Sequence, residues 1–188
     1  MSRSDYTPKP IPARPGLGSG AARLAEILRV DHAGELAAVH IYRGQQAVLG
    51  HSPAGETVGR MGEQEQAHLE AFEALLAERQ VRPSALSPLW RAAGFALGAA
   101  TALIGEKAAY ACTEAVETVI AEHYAGQVEE LKASDPELSA QLDQYRADEA
   151  AHHDEAVAKG ARETPGHGLL SAVISAGCRA AIKVAEKL

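Results

Sequence analysis

Aromatic residues are scarce in this 188-residue chain, at 4% of the sequence. β-Sandwiches and barrels depend on aromatic and β-branched residues, whereas an alanine-rich chain that is 46% hydrophobic favours helices around a single core. Basic residues are also in deficit, with 18 Lys and Arg against 25 Asp and Glu and a net charge of −7. Nucleic-acid-binding proteins normally carry a basic surplus, so we expect no nucleic-acid partner.

Cysteine and long apolar runs are scarce as well. The two cysteines, Cys112 and Cys178, are too few and too far apart for a disulfide framework or a zinc knuckle. We expect both to be reduced, buried thiols of an intracellular protein. No secretory signal is predicted, and runs without a formal charge, such as Ala92 to Gly105, are shorter than the ~18 residues that a membrane span needs.

The order of proline, glycine and apolar residues predicts an all-α chain. Residues 1–20 are rich in proline and glycine and are expected to form an extended or disordered tail, followed by one helical domain at 21–188. Apolar spacing predicts helices from about Gly20 to Gly50, from there to before Pro83, from about 106 to 132, and on to about Lys159, with a last amphipathic helix over 169–188. Residues 81–105 are predicted to be a long crossover connection between the second and third helices.

Two Glu-x-x-His sequences occur on predicted helices, Glu65 to His68 and Glu149 to His152. Residues three apart share one face of a helix, so each pair can present two ligand atoms together. In a chain this rich in glutamate and histidine, two such pairs arising by chance would be unsurprising. Their positions relative to the breaks between helices are more informative.

Residues of two antiparallel helices lie at equal height when their numbers average to the hinge. Glu35 and Glu65 average to 50, where Gly50 ends the first helix. Glu117 and Glu149 average to 133, beside the break at residues 134–136. Glu35 to Glu117 is a shift of 82 and Glu65 to Glu149 a shift of 84. The chain therefore reads as an internal repeat of one hairpin that carries a glutamate and then Glu-x-x-His.

Four carboxylates at one level inside a bundle would repel one another and lose hydration, so cations are needed there. This ligand set is typical of ferritin-like di-iron or di-manganese proteins, with Glu65 and Glu149 bridging two metals. The predicted metal ligands are Glu35, Glu65, His68, Glu117, Glu149 and His152. The predicted fold is a ferritin-like four-helix bundle with the long crossover and an additional C-terminal amphipathic helix.

Other polar residues lie within a turn or two of these ligands. Candidates for orienting a ligand by hydrogen bonding are Asp31, His123, Tyr124 and His153, and capping or surface roles remain the alternative for Asp31, His123 and Tyr124. No Gly-x-Gly-x-x-Gly fingerprint is present, so no dedicated dinucleotide domain is expected and the cofactor-binding residues are unknown.

With these residues in place, the chain resembles the demethoxyubiquinone hydroxylase family over residues 23–188. The resemblance rests on ordered blocks at Leu28 to Glu35, Glu65 to His68, Arg82 to Trp90, Gly94 to Gly98, Ala111 to Glu117, Asp148 to Asp154 and Ala176 to Arg179. It implies the same six metal ligands, and none of them is substituted. It further implies two iron ions per subunit and monooxygenation of the demethoxyubiquinol ring by dioxygen. The reaction would need an external reductant such as NADH.

The resemblance also implies partners and a location. A polyprenyl quinone substrate partitions into lipid, so we expect a peripheral protein whose residues 81–105 contact the membrane surface, with Trp90 and Arg91 at the headgroups. We expect the cytoplasmic face of a bacterial inner membrane, or the matrix side of the mitochondrial inner membrane if the chain is eukaryotic. A homo-oligomer and contacts with other ubiquinone-biosynthesis proteins are also expected. A ferroxidase or iron-storage protein and a non-enzymatic scaffold of the quinone pathway remain open alternatives.

Overall fold

The computed structural model of the chain describes residues 20–187. The α-helices in this range are α1 (Gly20–Leu49), α2 (Pro53–Glu78), α3 (Ser87–Ile104), α4 (Glu106–Leu131), α5 (Pro136–Ala158) and α6 (His167–Ala185). A short 3-10 helix covers Ala161–Glu163, and residues 20–187 contain no strand. The all-α prediction is confirmed. The predicted tail lies outside the described residues, except for Gly20, which begins α1.

The two hairpins turn where proline, glycine and short polar residues interrupt the helices. Gly50 ends α1 with a positive φ of 59°, and the Ser52 hydroxyl caps α2 by accepting a hydrogen bond from the Gly55 amide at 3.1 Å. Asp135 caps α5 in the same way, accepting from the Leu138 amide at 3.3 Å. Each cap precedes a proline in the first helical turn, where its missing amide hydrogen costs nothing.

Residues 81–105, predicted to be a long connection, contain the 18-residue helix α3. Pro88 is in the first turn, where a helix tolerates proline, and Gly105 ends the helix with a φ of 146°, while Gly94 and Gly98 lie inside it. The residues between them are mainly alanine, leucine and other helix-compatible types. The crossover from α2 to α4 is therefore made by a helix of its own.

Two apolar clusters fill the space between α1, α2, α4 and α5. One contains Ile27, Leu28, Phe72, Leu76, Tyr124, Leu131, Leu138 and Leu142. The other contains Tyr42, Ala54, Val58, Met61, Tyr110, Ala111, Ala156 and Ala161. Along each helix, the predicted metal ligands fall between the residues of these two clusters. A polar layer is thus enclosed by apolar packing on both sides.

Helices α3 and α6 lie on the outside of α1 and α4. A third cluster joins them, with Ile41, Cys112, Ala115, Val116 and Ile174 buried and Leu97 and Cys178 packed against it. Cys112 and Cys178 are both free thiols, as predicted, although Cys178 is only partly buried. Glu114 of α4 accepts hydrogen bonds from Arg162 at 2.7 Å and His167 at 2.6 Å, which hold the start of α6.

Candidate metal centre

The six predicted ligands meet in the polar layer, and each is at most 4% exposed. Their ligand atoms form two overlapping groups whose members lie within 4.8 Å of one another. The first group is Glu35, Glu65, His68 and Glu149, and the second is Glu65, Glu117, Glu149 and His152. Glu65 and Glu149 belong to both groups. This arrangement offers two adjacent positions for cations with two shared carboxylates between them.

The polar atoms that point into this layer lie close to one another but make no hydrogen bond of good geometry. They are Oε2 of Glu35 and Glu117, both carboxylate oxygens of Glu65 and Glu149, and Nδ1 of His68 and His152. Buried polar atoms are normally paired, because leaving one unpaired costs about 1–3 kcal/mol. Eight unpaired oxygen and nitrogen atoms around one small volume fit bound cations, and hard carboxylates with one imidazole per position suit iron or manganese.

Each histidine directs Nδ1 at the carboxylates. Nδ1 of His68 lies 3.3 Å from Glu149 Oε1 and 3.8 Å from Glu35 Oε2. Nδ1 of His152 lies 2.9 Å from Glu65 Oε1. The opposite ring nitrogens face outward, His68 Nε2 to Asp148 Oδ2 and His152 Nε2 to Gln64 Oε1, both at 3.2 Å. These outer contacts fix the orientation of both rings, as is typical of metal-bound histidine.

Two buried tyrosines hold the outer carboxylates. Tyr42 of α1 donates a hydrogen bond to Glu117 Oε1 of α4 at 2.5 Å. Tyr124 of α4 donates a short hydrogen bond to Glu35 Oε1 of α1. Each hydroxyl occupies one carboxylate oxygen and leaves the other, Oε2, directed into the layer. The pattern favours Glu35 and Glu117 as ligands through a single oxygen.

Burial and mutual repulsion shift the pKa values of the acid groups. Burial, together with the charge of Glu149, raises the pKa of Glu35 to about 7. Burial and the charge of Glu149 also raise the pKa of Glu65 and of Glu117 well above the usual range. Burial acts in the same direction on Glu149, but contacts with His152 and His68 outweigh it and lower its pKa to about 2. Without cations, the layer cannot hold four negative charges at neutral pH.

The other residues predicted to orient the ligands differ in how they contact them. Tyr124 contacts the predicted ligand Glu35 directly, as described above. Asp31 is buried and accepts a hydrogen bond from Gln127 at 2.8 Å, and His123 Nε2 lies 3.4 Å from the same Asp31 oxygen. His153 faces away, with Nδ1 2.9 Å from Asp154 Oδ1. The contact with Asp154 places His153 outside the group that supports the ligands.

Sequence reasoning missed Tyr42, Gln64 and the role of Asp148. The repeat shift of 82 that relates Glu35 to Glu117 also relates Tyr42 to Tyr124. Applying that shift to Tyr124 would have identified Tyr42. Gln64 and Asp148 each immediately precede the glutamate of a Glu-x-x-His sequence, but nothing in the sequence says which residue a histidine side chain will contact.

A small apolar cavity of about 80 Å³ lies beside the polar layer, between α1, α3, α4 and α6. Its lining is Val30, Ala33, Gly34, Ala37, Ala38, Ile41, Trp90, Val116, Ile120, Cys178, Ala181, Ile182 and Ala185. Gly34 and Val116 immediately precede Glu35 and Glu117. The almost wholly apolar lining suits an apolar group that approaches the two outer carboxylates.

Large apolar side chains on α3 and α6 are exposed to solvent. They are Leu89, Phe95, Leu103 and Ile104 on α3 and Leu169, Val173 and Val184 on α6. Among residues 20–187, α6 alone is long and apolar enough to cross a membrane by length and composition. A core helix can meet that same criterion, so the observation by itself assigns no membrane span.

Comparison with known proteins identifies the family of this chain. The profile of the family described as "Ubiquinone biosynthesis protein COQ7" matches residues 22–185. The chain is 49% identical over 175 residues, covering 93% of this chain and 82% of the relative, to the 3-demethoxyubiquinol 3-hydroxylase of Rhodospirillum rubrum. It is 46% identical over 171 residues, covering 89% of this chain and 79% of the relative, to the human mitochondrial NADPH-dependent 3-demethoxyubiquinone 3-hydroxylase. The yeast mitochondrial 5-demethoxyubiquinone hydroxylase is 40% identical over 189 residues, with 89% and 79% covered. The chain belongs to the COQ7 family of ubiquinone biosynthesis proteins.

Proposed function

We propose that this protein is a di-iron monooxygenase that hydroxylates the ring of demethoxyubiquinol with dioxygen in ubiquinone biosynthesis. The names of its relatives supply the reaction, since three of them at 40–49% identity are demethoxyubiquinol or demethoxyubiquinone hydroxylases. The observation that carries the proposal is the layer of eight unpaired ligand atoms described above. On this proposal the helices form a ferritin-like four-helix bundle of α1, α2, α4 and α5.

The six acidic and histidine residues would hold two iron ions. Glu35 and His68 belong to one position, Glu117 and His152 to the other, and Glu65 and Glu149 to both. Bound iron supplies the activation of dioxygen, which no protein side chain provides. The chain supplies geometry and a dry environment. Tyr42 and Tyr124 fix the outer carboxylates, and the two apolar clusters keep water from the layer.

The apolar cavity is the proposed site of the quinone ring. It is lined by α1 and α4 residues that neighbour Glu35 and Glu117, and by Trp90 and α6 on its outer side. Almost all of its surface is apolar, which suits a ring with a polyprenyl tail and excludes a charged substrate. Since α6 forms one wall, a substrate drawn from lipid could reach the cavity along this helix.

The exposed face of α3 and α6 is the proposed membrane contact. Leu103 is 75% exposed, Ile104 69% and Leu169 74%, and such large apolar groups gain free energy when they leave water for lipid. The relatives include one bacterial and several mitochondrial proteins. A peripheral position on the bacterial cytoplasmic membrane, or on the matrix side of the mitochondrial inner membrane, fits this surface. Self-association and contact with other ubiquinone-biosynthesis proteins stay predictions.

Iron content and product analysis test the proposal together. The metal-stripped protein is loaded with ferrous iron without oxygen, then given a demethoxyubiquinol, labelled dioxygen and either NADH or NADPH, since the human relative is named NADPH-dependent. We expect two irons per chain and a product that carries one labelled oxygen atom. Iron oxidation without a hydroxylated product would identify a ferroxidase instead. If neither reaction occurs, the non-enzymatic scaffold is the remaining alternative.

Replacing a shared carboxylate tests the ligand assignment. Glu65→Ala and Glu149→Ala should each abolish both two-iron binding and turnover while the helical circular dichroism stays intact. The metal-free protein should be as stable as the parent or more stable, because one acid group leaves a repulsive cluster. Glu63→Ala is the matched control, since Glu63 is exposed and lies two positions away on α2. A Glu65→Ala protein with two irons and full turnover contradicts the assignment.

A further inference from the structure

The internal repeat extends beyond the ligands. The shift of 82 that relates Glu35 to Glu117 also relates Tyr42 to Tyr124 and Gln45 to Gln127. The paired residues make matching contacts. Each tyrosine donates to the glutamate of the other hairpin, and each glutamine side chain donates across to the facing helix. The two candidate cation positions therefore have matching sets of surrounding side chains. Residue pairs that do not match show where the two positions differ.

The repeat is not kept at the residue that contacts the outer ring nitrogen, Nε2, of each histidine. The shift of 84 that relates His68 to His152 pairs Gln64 with Asp148. His68 Nε2 lies 3.2 Å from the Asp148 carboxylate, and His152 Nε2 lies 3.2 Å from the Gln64 amide oxygen. The distance is the same in both positions, while the charge of the acceptor differs. Gln144 donates to the other Asp148 oxygen at 3.1 Å and so holds this carboxylate in place.

A second mismatch in the repeat also lies at the position of Glu35 and His68. The shift of 82 pairs Asp31 with Thr113. The carboxyl group of Asp31 accepts from Gln127 at 2.8 Å, one turn of α1 before Glu35. Its counterpart, the Thr113 hydroxyl, lies 3.4 Å from the Gln45 amide. Both acidic members of the broken pairs thus belong to the position of Glu35 and His68.

A carboxylate that accepts the outer N–H of an imidazole makes the inner nitrogen a stronger metal ligand than an amide oxygen does. We propose that the two cation positions are inequivalent: the position of Glu35 and His68 binds a divalent metal more tightly and fills before that of Glu117 and His152. This inference rests on the proposed function, which requires two metal positions. It adds that Asp148 and Gln64 set the order of filling.

Titration of the metal-stripped full chain with Co²⁺ under anaerobic conditions tests the inference without any turnover. We expect two binding steps, seen by calorimetry and by cobalt absorption. Asp148→Asn should raise the first Kd roughly 10- to 100-fold and bring the two steps together, the usual effect of losing an outer partner. Gln64→Glu should lower the second Kd, because it gives His152 the carboxylate that His68 already has.

Single-ligand variants assign the steps. His68→Ala should remove the tight step and His152→Ala the weak one, with helical content checked by circular dichroism. Asp143→Asn is the matched control: it removes the same charge on α5, but Asp143 is bound to Arg146 on the surface, so both Kd values should stay unchanged. Two equal sites, or two steps that neither Asp148→Asn nor Gln64→Glu alters, would overturn the inference while leaving the two-metal proposal standing. Failure to bind Co²⁺ at all would instead overturn the proposed function.

Discussion

Single hydroxyl groups decide how the outer carboxylates are presented. Glu35 and Glu117 are fully enclosed, so an oxygen that faces the protein needs a donor. Tyr124 and Tyr42 are those donors, and each comes from the hairpin opposite to its partner. The arrangement ties the two hairpins together through the ligands themselves.

Removing the Tyr124 hydroxyl should expose this dependence. In Tyr124→Phe the ring still packs in the core, but Glu35 loses its donor and keeps a buried, unpaired oxygen. We expect the free energy of unfolding of the metal-free protein to fall by about 1–3 kcal/mol, measured by denaturant titration. Tyr145→Phe is the control, because the Tyr145 hydroxyl contacts Gln141 and is only partly buried. Equal losses in the two variants would mean that the Glu35 contact has no special weight.

Helix α3 depends on close backbone contact with α1. A Cβ atom built on Gly98 would lie 1.9 Å from the Ile41 carbonyl oxygen, and one on Gly94 would lie 2.5 Å from that of Ala37. No side chain fits at such distances, so glycine lets the two helices approach. This packing holds Trp90 against the apolar cavity.

Gly98→Ala should therefore push α3 away from α1. The obstructing atom belongs to the backbone and cannot rotate aside, so we expect a loss of about 1–3 kcal/mol in the free energy of unfolding. Gly126→Ala in α4 is the opposite case, since no atom lies within 4 Å of its added Cβ. That control should gain up to about 1 kcal/mol through its higher helix propensity. Thermal unfolding of both variants distinguishes the two effects.

The exposed apolar face of α3 supports the proposed membrane contact, and two leucines separate this role from packing. Leu103 is 75% exposed, whereas Leu97 packs against the cluster that contains Cys112 and Ile174. Leu103→Glu should weaken binding to anionic liposomes in a flotation assay and leave the melting temperature unchanged. Leu97→Glu should lower the melting temperature, because it buries a charge among apolar groups. Unchanged liposome binding by Leu103→Glu would count against this face as the membrane contact.

What could be predicted differs between these elements. The hinge positions Gly50 and Asp135 are local signals, so the heights of Glu35, Glu65, Glu117 and Glu149 followed from the sequence alone. Helix α3 was missed because residues 81–105, rich in proline and glycine, were predicted to be a connection, and only the neighbouring backbone of α1 explains why Gly94 and Gly98 stand inside a helix. Contacts such as His68 with Asp148 depend on how side chains meet across helices, which no local pattern records.

For the molecule as a whole, the proposed metal site would link folding to cation binding through its buried acids. Carboxyl groups that stay neutral in the folded metal-free chain must ionise to bind metal, so uptake of metal should release protons. Cations that neutralise the layer also bind only the folded chain, which stabilises it by mass action. On the proposed function, the buried acid layer destabilises the metal-free protein and bound cations offset that effect.

The stability of the metal-free protein should fall as pH rises from about 5 to 8. The folded pKa of Glu35 is about 7, raised by burial from an ordinary 4.5, and those of Glu65 and Glu117 are raised further. An acid whose folded pKa is raised binds more protons in the folded state, so its contribution is lost as pH climbs from the unfolded value through the folded one. Glu149, with a pKa of about 2, is ionised in the folded state and mostly ionised in the unfolded state over this range, so it adds little slope. Denaturant titrations at each pH should show a loss of the order of 3 kcal/mol for Glu35 alone, and the Glu35→Gln variant should show a shallower slope. The metal-loaded protein should lose far less, because its carboxylates are already ionised and neutralised by cations. A metal-free protein that gains stability between pH 5 and pH 8 would contradict the inference that these acids are held neutral in the fold.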